Sequence, residues 1–489
     1  MTDTLQRSRR TRPPIHVESG SDVGAPEIGS SSAAGSASSS TSRCRRIAVV
    51  GCGHVGLVLA AGLVRLGHEV VGVDVAEALV ADLNNGVLYL HEPGLSELLS
   101  DGLENGRLRF TTNYDAAIPE AELIFLAVDT PQTLAGAANM RNIREATRSI
   151  ALALNGSSPI IVNKSTSPIG TGETIEEILR SAFEERQREP RIVSNPEFLR
   201  QGRAVEDFLN PDRIVIGSRS AADAREVAEL FQPLGGEVIV TDLRTAEMIK
   251  YVSNAFLATR VSFINEVSRL CEAIGVDIDS VIDGIAEDPR IGRSFFHPGI
   301  GFGGSCLPKD VAALRFIGET HGVATPVLSG VQEVNQAQRT GAVRRLRARL
   351  GSLEGRTIGV WGLTFKAHTE DTRESPALAV VGLLTNAGAI VQSFDPAVAK
   401  NPALLPEQYR HTLRASPAEA ARGAHALAVL TDWPHFAAAD FTEIRDGMAG
   451  RLIFDGRNVL DKAAVEALGF AYMGVGRTPT LPLRRRDDV

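Results

Sequence analysis

The sequence predicts an α/β fold in which two doubly wound domains are joined by a long central helix. Three observations predict it. From Arg45 onward, short apolar runs ending in polar clusters alternate with amphipathic segments. The same alternation restarts near Thr357. Between the two, from Thr245 to Gly275, the period becomes helical and stays so. The expected organisation is therefore a tail over 1–43, a first α/β domain over 44–242, and a helical segment over 243–345. A second α/β domain follows over 350–475, then a tail over 476–489.

Composition bounds the function. The chain has 489 residues, 43% hydrophobic and 22% charged, with a net charge of −8 from 51 basic and 59 acidic side chains. That balance argues against nucleic acid as a partner. No apolar run reaches the ~18 residues of a membrane span. The ten histidines form no HxxxH pair or His/Cys cluster, so no metal site is expected. Cys44, Cys52, Cys271 and Cys306 have no CxxC or paired spacing, and no apolar h-region follows the early arginines. Free thiols in a reducing, cytoplasmic setting are the expectation. The first 43 residues end in a run of Ser, Gly and Ala that cannot bury a core, so they are expected to be disordered.

The first domain opens with RRIAVVGCGHVGLVLAAGLVRLGHEVVGVD. It reads as strand Ile47 to Val50, glycine turn, helix to about Leu66, and strand Glu69 to Val73. Gly51, Gly53 and Gly56 make GxGxxG around His54 and Val55, and Asp74 follows Gly56 by 18 residues. That is the pattern of a βαβ dinucleotide site: the glycines admit a pyrophosphate at a helix N-terminus, and the carboxylate accepts from the ribose hydroxyls. The same carboxylate repels a 2′-phosphate, which favours NAD over NADP. A glycine turn in some other α/β protein is the alternative.

Further strands end in polar clusters at Asp129-Thr130-Pro131, Lys164-Ser165-Thr166 and Asn195-Pro196-Glu197. Ligands bind at the carboxyl ends of parallel strands. Thr130 and Glu197 are thus site candidates, or else turn formers.

The helical stretch carries apolar residues at Met248, Ile249, Val252, Phe256, Val261, Ile264, Val267, Leu270, Cys271 and Ile274. At ~1.5 Å per residue it spans roughly 45 Å, long enough to join two domains and to pack against a second copy. Lys250 and Asn254 are i,i+4 and share a face, as a site pair or a solvated one. Cys271 falls on the apolar face and reads as core.

The densest stretch is GIGFGGSCLPKD, from Gly299 to Asp310. Its glycines let the backbone approach a ligand closely. Cys306 follows them, and a helix beginning near Pro308 would turn Lys309 and Asp310 back toward it. The helix N-terminus would favour a thiolate. Cys306 is then a nucleophile in a ligand-lined loop, or a small buried hydrophobe. In the second domain the first strand is expected from Thr357 to Lys366, and Ser375 and Pro376 read as N-cap and N1 of a helix.

These motifs occur together and in order: GCGHVG, EPGL at 92–95, DTP at 129–131, KSTSPIGT at 164–171, NPEFLRQG at 195–202 and PDRIVIG at 211–217. They continue with AEMIKYVSNAFLATRVSFINE at 246–266, DPRIG at 288–292, GFGGSCLPKD at 301–310, GLTFKAHTEDTRESPA at 362–377 and FDGRN at 454–458. From about Arg45 to Leu468 the chain resembles the nucleotide-sugar 6-dehydrogenases, most closely those acting on UDP-glucose. The resemblance implies two Rossmann-like domains and a four-electron oxidation of a sugar C6 alcohol to a carboxylate, with two NAD per turnover.

Its implications for residues are specific. Cys306 forms a thiohemiacetal and then a thioester. Lys250 and Asn254 hold the C6 oxygen, Asp310 orders water, and Glu197 acts as acid/base with Thr130 nearby. NAD is met by Gly51, Gly53, His54, Val55, Gly56, Asp74, Thr130, Gln201, Lys309 and Arg373. The sugar nucleotide is met by Glu197, Phe198, Leu199, Arg200, Lys250, Asn254, Lys366 and Arg457. Phe295, Phe296, His297, Pro298, Gly299 and Gly303 line it, and Arg290 reaches across a homodimer. Departures from the family pattern are Gln201 where Glu is usual, His54 for Tyr, Leu79 for a basic residue, and the loop TPQTLAGAANM. GDP-mannose is the alternative substrate, and a catalytically silent nucleotide-binding scaffold the alternative class.

Overall fold

Buried, β-branched runs make the first sheet. The computed structural model describes residues 43–133, 135–184 and 189–478, so nearly all of both expected tails lies outside the described residues. The strands are β1 (Arg46–Val50), β2 (Glu69–Val73), β3 (Leu108–Thr111) and β4 (Leu123–Leu126), then β5 (Ile160–Asn163), β6 (Arg191–Ser194), β7 (Arg213–Ser218) and β8 (Glu237–Thr241). β4 and β5 are buried along their whole length, because helices cover both faces of a parallel sheet. The spatial order is β3-β2-β1-β4-β5-β6-β7-β8. Every pair is parallel except β6 with β7. β1 lies between β2 and β4, so the chain reverses direction of growth there and leaves a crevice at the strand ends.

The central helix runs from Leu243 to Ile274 and is 32 residues long. Asp242 caps it by accepting from Thr245 N at 2.9 Å, which starts it slightly before the expected Thr245. Gly275 ends it with φ +76°. Its buried face is mostly small or polar, with Lys250, Asn254, Ala255, Ala258, Ser262, Asn265, Ser268 and Cys271 beside the larger Leu243, Tyr251 and Ile264. That face lets the helices Leu307–Thr320 and Pro326–Leu350 pack close. Several of its large apolar residues are exposed instead, Met248, Val252, Phe256, Phe263, Leu270 and Ile274, while Leu243, Tyr251 and Ile264 stay buried.

The second sheet has β9 (Thr357–Trp361), β10 (Ile390–Phe394), β11 (Ala426–Val429), β12 (Leu452–Asp455) and β13 (Ala471–Gly474). It is parallel throughout, in the order β10-β9-β11-β12-β13. β9 stops at Trp361, well before the expected Lys366. Gly362 turns the chain there with φ +94°, and Leu363 N and Thr364 N donate to the buried Asp395 carboxylate. The helix Pro376–Asn386 has the expected Ser375 cap and Pro376 at its first position.

Candidate active site

The cofactor side is built on β1 and β2. Gly51 has φ +97°, and a Cβ there would lie 2.6 Å from Ala127 O. A Cβ on Gly56 would lie 1.9 Å from Gly51 O, so this turn tolerates glycine alone at both positions. The helix His54–Arg65 begins with Gly53 as its N-cap and no side-chain cap, which leaves its first N–H groups for an anion. Around Gly53 nothing lies within 4 Å of where a Cβ would be. Asp74, at the end of β2, accepts from Cys52 N at 2.8 Å and Ala76 N at 3.1 Å, which fixes its carboxylate beside the glycine turn. This cradle fits a dinucleotide, with Val55 in the helix's first turn.

His54 makes a bond that the sequence did not foretell. Its Nε2 lies 2.7 Å from a carboxylate oxygen of buried Glu92. Glu92 also accepts from Gly202 N and Ala204 N, each at 2.7 Å. The glycine turn is thereby tied to the segment that follows Gln201, at the end of NPEFLRQG.

The reacting groups come from three elements. Glu197 follows β6, Lys250 and Asn254 sit on the central helix, and Cys306 and Asp310 flank the start of the helix Leu307–Thr320. Lys250 Nζ lies 3.0 Å from Glu197 Oε1. Glu197 also accepts from Thr166 Oγ1 at 3.3 Å and Leu199 N at 2.7 Å. Asn254 Nδ2 donates to Asp310 Oδ2 at 2.6 Å, and Lys309 Nζ to Asp310 Oδ1 at 2.7 Å. Lys250, Glu197, Asn254 and Asp310 are 4%, 6%, 7% and 0% exposed, so these pairs are dry and strongly coupled.

Burial pushes the Glu197 carboxyl up, but Lys250 outweighs it and holds the group below its ordinary range. Burial likewise opposes the Lys250 charge, and Glu197, Cys306 and Asp310 together raise it. Lys250 is therefore a cation. Cys306 differs from the thiolate expectation. The residue is exposed, yet protein crowds its sulphur. That desolvation, with the Glu197 charge, pushes the thiol up, while Lys250 pulls it down only in part. Burial is the larger cause, and the ammonium that would stabilise a thiolate is also paired with Glu197. Ser305 Oγ lies 3.7 Å from the sulphur.

Thr130 is not the threonine that reaches Glu197. Its hydroxyl donates to Thr166 O at 2.5 Å, one step behind, and Thr166 makes the contact. Thr166 stood in the KST cluster at the end of β5, but spacing alone does not distinguish two strand-end threonines.

A cleft of about 650 Å³ runs beside the pair, lined by Glu197 to Arg200, Lys250, Asn254 and Phe295 among others. The Phe198 ring lies between Arg213 (4.1 Å from its centroid) and Lys250 (5.3 Å). Arg200 is turned to Asp207 in a bidentate pair. Phe295 has φ +63°, a strained conformation at a cleft wall. Phe296 is buried under the Arg260 guanidinium. After His297 and Pro298, Gly299 N donates to Asn265 Oδ1 at 2.8 Å, and Gly303 passes against Glu374 O.

Arg457 donates to Gly301 O, Phe365 O and Leu430 O, so its guanidinium staples the glycine loop to the second sheet rather than projecting freely. Lys366 is half-buried beside the Phe365 ring. Arg373 pairs with Asp371 and acts electrostatically on Asp129 and Cys306. Arg290 pairs with Asp288 on an exposed turn, and its own chain does not bring it to the site. Among the described residues no cluster of His, Cys, Asp and Glu could hold a metal, and no helix is long and apolar enough to cross a membrane.

A dinucleotide cradle on one sheet, opposite a thiol beside a buried lysine and two carboxylates, defines an NAD-dependent oxidoreductase. The chain belongs to the UDP-glucose/GDP-mannose dehydrogenase family. That family's NAD-binding domain matches residues 45–235, its central domain 244–337, and its UDP-binding domain 359–462. A UDP-glucose 6-dehydrogenase of Bacillus subtilis is 41% identical over 434 residues, covering 88% of this chain and 93% of its own. One from Pseudomonas aeruginosa is 40% identical over 442 residues, covering 88% and 97%. A solved UDP-glucose dehydrogenase from Pyrobaculum islandicum has a TM-score of 0.82 at 37% identity, covering 89% of this chain and 99% of that one.

Proposed function

We propose that this protein oxidises UDP-glucose at C6 to UDP-glucuronate, with two NAD and one water per turnover. The observation that carries the proposal is the pairing of Lys250 with Glu197 and of Asn254 with Asp310 beside Cys306, in a chain whose curated relatives are UDP-glucose 6-dehydrogenases.

NAD, when bound, accepts the hydride from C6 in each oxidation. The protein's residues do the rest. Lys250 is a cation, so it stabilises negative charge on the C6 oxygen rather than acting as a base, and Asn254 supplies a second donor. Glu197, held ionised, takes the proton. The aldehyde is then captured by Cys306. A resting thiol suits this step: sulphur bonds to C6 and its proton ends on the former carbonyl oxygen. Glu197 passes its first proton to solvent and then takes the hydroxyl proton as the second hydride leaves, which gives a thioester; it releases that proton in turn before hydrolysis. Water positioned by Asp310 adds to it, the C–S bond breaks, and the thiol is restored. Arg373 and Lys309 act at the cofactor, Lys366 and the segment 295–303 at the nucleotide and sugar, and Arg457 holds that segment against the second sheet.

The outward apolar stripe of the central helix is the surface for a second copy, and Arg290 is then free to reach that copy's site. Four free cysteines fit a cytoplasmic setting. The test is NADH yield with UDP-glucose, GDP-mannose and UDP-N-acetylmannosamine in parallel. UDP-glucose should give two NADH per sugar with no aldehyde released. A yield of one, or turnover of GDP-mannose alone, would contradict the proposal.

A further inference from the structure

The site holds a second buried lysine that the chemistry above does not use. Lys164 follows β5, is 8% exposed, and lines the same cleft as Glu197 and Lys250. Its Nζ donates to Asn195 Oδ1 at 2.9 Å. Asn195 cannot turn away, because its Nδ2 donates to Val215 O at 2.8 Å. The Phe231 ring lies 5.5 Å from the ammonium. Lys164 therefore has a neutral amide and an aromatic face as close partners, and makes no ion pair among the described residues. Burying an ammonium against a neutral acceptor is costly, and a site retains such a charge only where something draws on its field.

The charged groups around it identify what draws on it. Glu197 is the anion that Lys164 senses, and Lys250 the cation. Around Glu197 itself stand Lys250 from the central helix, Lys164 from the end of β5, and the Cys306 thiol from the glycine loop. At rest Lys250 neutralises Glu197 at 3.0 Å. During the reaction Lys250 must give its charge to the C6 oxygen. Glu197 is then a buried carboxylate left with the Thr166 hydroxyl and Leu199 N, and desolvation favours its neutral form. A neutral Glu197 cannot take the proton from water in thioester hydrolysis.

We propose that Lys164 is a positioning residue that keeps Glu197 ionised while Lys250 is engaged with the substrate oxygen. The proposal rests on the C6 oxidation argued above and deepens it. The neutrality of Asn195 is part of the device: a carboxylate there would cancel the field of Lys164 before it reached Glu197. In the step it serves, the oxygen of water bonds to the thioester carbon and the water proton moves to Glu197. The C–S bond breaks and the sulphur leaves with the proton returned from Glu197. Burial also pulls Lys164 down to about 8, so the residue is a cation through the range in which Glu197 titrates.

Two variants test this, each in the full-length protein with NAD and UDP-glucose: Lys164→Met removes the charge, and Asn195→Asp cancels it at nearly equal size while giving up the Nδ2 bond to Val215 O. The readouts are the pH dependence of kcat, the KM for UDP-glucose, and intact-protein mass. Both variants should move the acid limb of kcat up by about one pH unit, with about tenfold loss below it. KM should change little, and the covalent adduct on Cys306 should accumulate at low pH. Should Lys164→Met fail to fold, Asn195→Asp alone decides. An acid limb that stays in place overturns the proposal, as does a uniform fall in kcat at every pH, which marks a structural role. If unmodified protein makes no NADH from UDP-glucose, the functional reading fails and takes this one with it, a result visible before any variant is made.

Discussion

Lys250→Met removes the cation that pairs directly with Glu197, and leaves Lys164 at longer range. Two effects follow, and both have a size. The first is chemical. Lys250 is the charged donor expected at the C6 oxygen, and removing one preorganised donor typically costs about 2.7–4 kcal/mol, or 10²–10³ in kcat. The second is structural. Glu197 is 6% exposed and would keep only the Thr166 hydroxyl and Leu199 N. Breaking a buried pair by removing one partner costs about 3–5 kcal/mol, of the order of 5–10 °C in thermal midpoint. The sign against pH follows from the cited directions. With Lys250 present, Glu197 lies below its ordinary range, so its contribution is present above the unfolded carboxylate range and is lost as pH falls. Without Lys250, burial pushes Glu197 up and Lys164, at longer range, opposes it only in part, so the group lies above its ordinary range yet is still ionised near neutral pH. Stability then falls as pH rises through the carboxylate range. Scanning calorimetry from acid to neutral pH should show the slope reversed, and adding Glu197→Gln should restore the midpoint without restoring turnover. An unchanged midpoint and slope in Lys250→Met would refute the claim that the pair is dry and coupled.

Asp74→Gly should raise the efficiency with NADP relative to NAD, because the carboxylate fixed beside the glycine turn is what repels a 2′-phosphate; steady-state kinetics with both cofactors check it. Phe263→Glu with Leu270→Glu places charge on the outward stripe of the central helix and should shift the protein toward monomers in light scattering, with activity falling as Arg290 loses its target.

The parts of the site that were legible in the sequence are those made by neighbours in the chain. GxGxxG with Asp74 is one βαβ unit, so its geometry is set by local spacing. The loop from Gly299 to Asp310 announced itself by glycine density, and its helix begins at Leu307, beside the expected Pro308. What spacing could not supply was pairing across elements. Lys250 and Asn254 looked like one i,i+4 couple, yet each has a different carboxylate from a different segment. That division neutralises the ammonium and leaves Cys306 a thiol. Thr130 and Thr166 end adjacent strands, and only the packing of β4 against β5 decides which one meets Glu197. Arg457 was expected at the ligand, but the carbonyls of Gly301 in the glycine loop and of Phe365 and Leu430 in the second domain claim its guanidinium. The apolar pattern of the central helix matched its length and its C-terminal stop, but did not separate the residues that stay buried, such as Tyr251 and Ile264, from those that are exposed, such as Phe263 and Leu270.

The central claim is that Cys306 carries the substrate between the two oxidations. Intact-protein mass spectrometry of Cys306→Ser, incubated with NAD and UDP-glucose beside unmodified protein and Cys271→Ser, tests it most directly. Cys306→Ser should bind both ligands and turn over several orders of magnitude more slowly. It should keep substrate-derived mass attached, because an ester hydrolyses less readily than a thioester. Cys271→Ser should show no adduct. Near-normal turnover by Cys306→Ser, with no mass added at any time, would contradict the account.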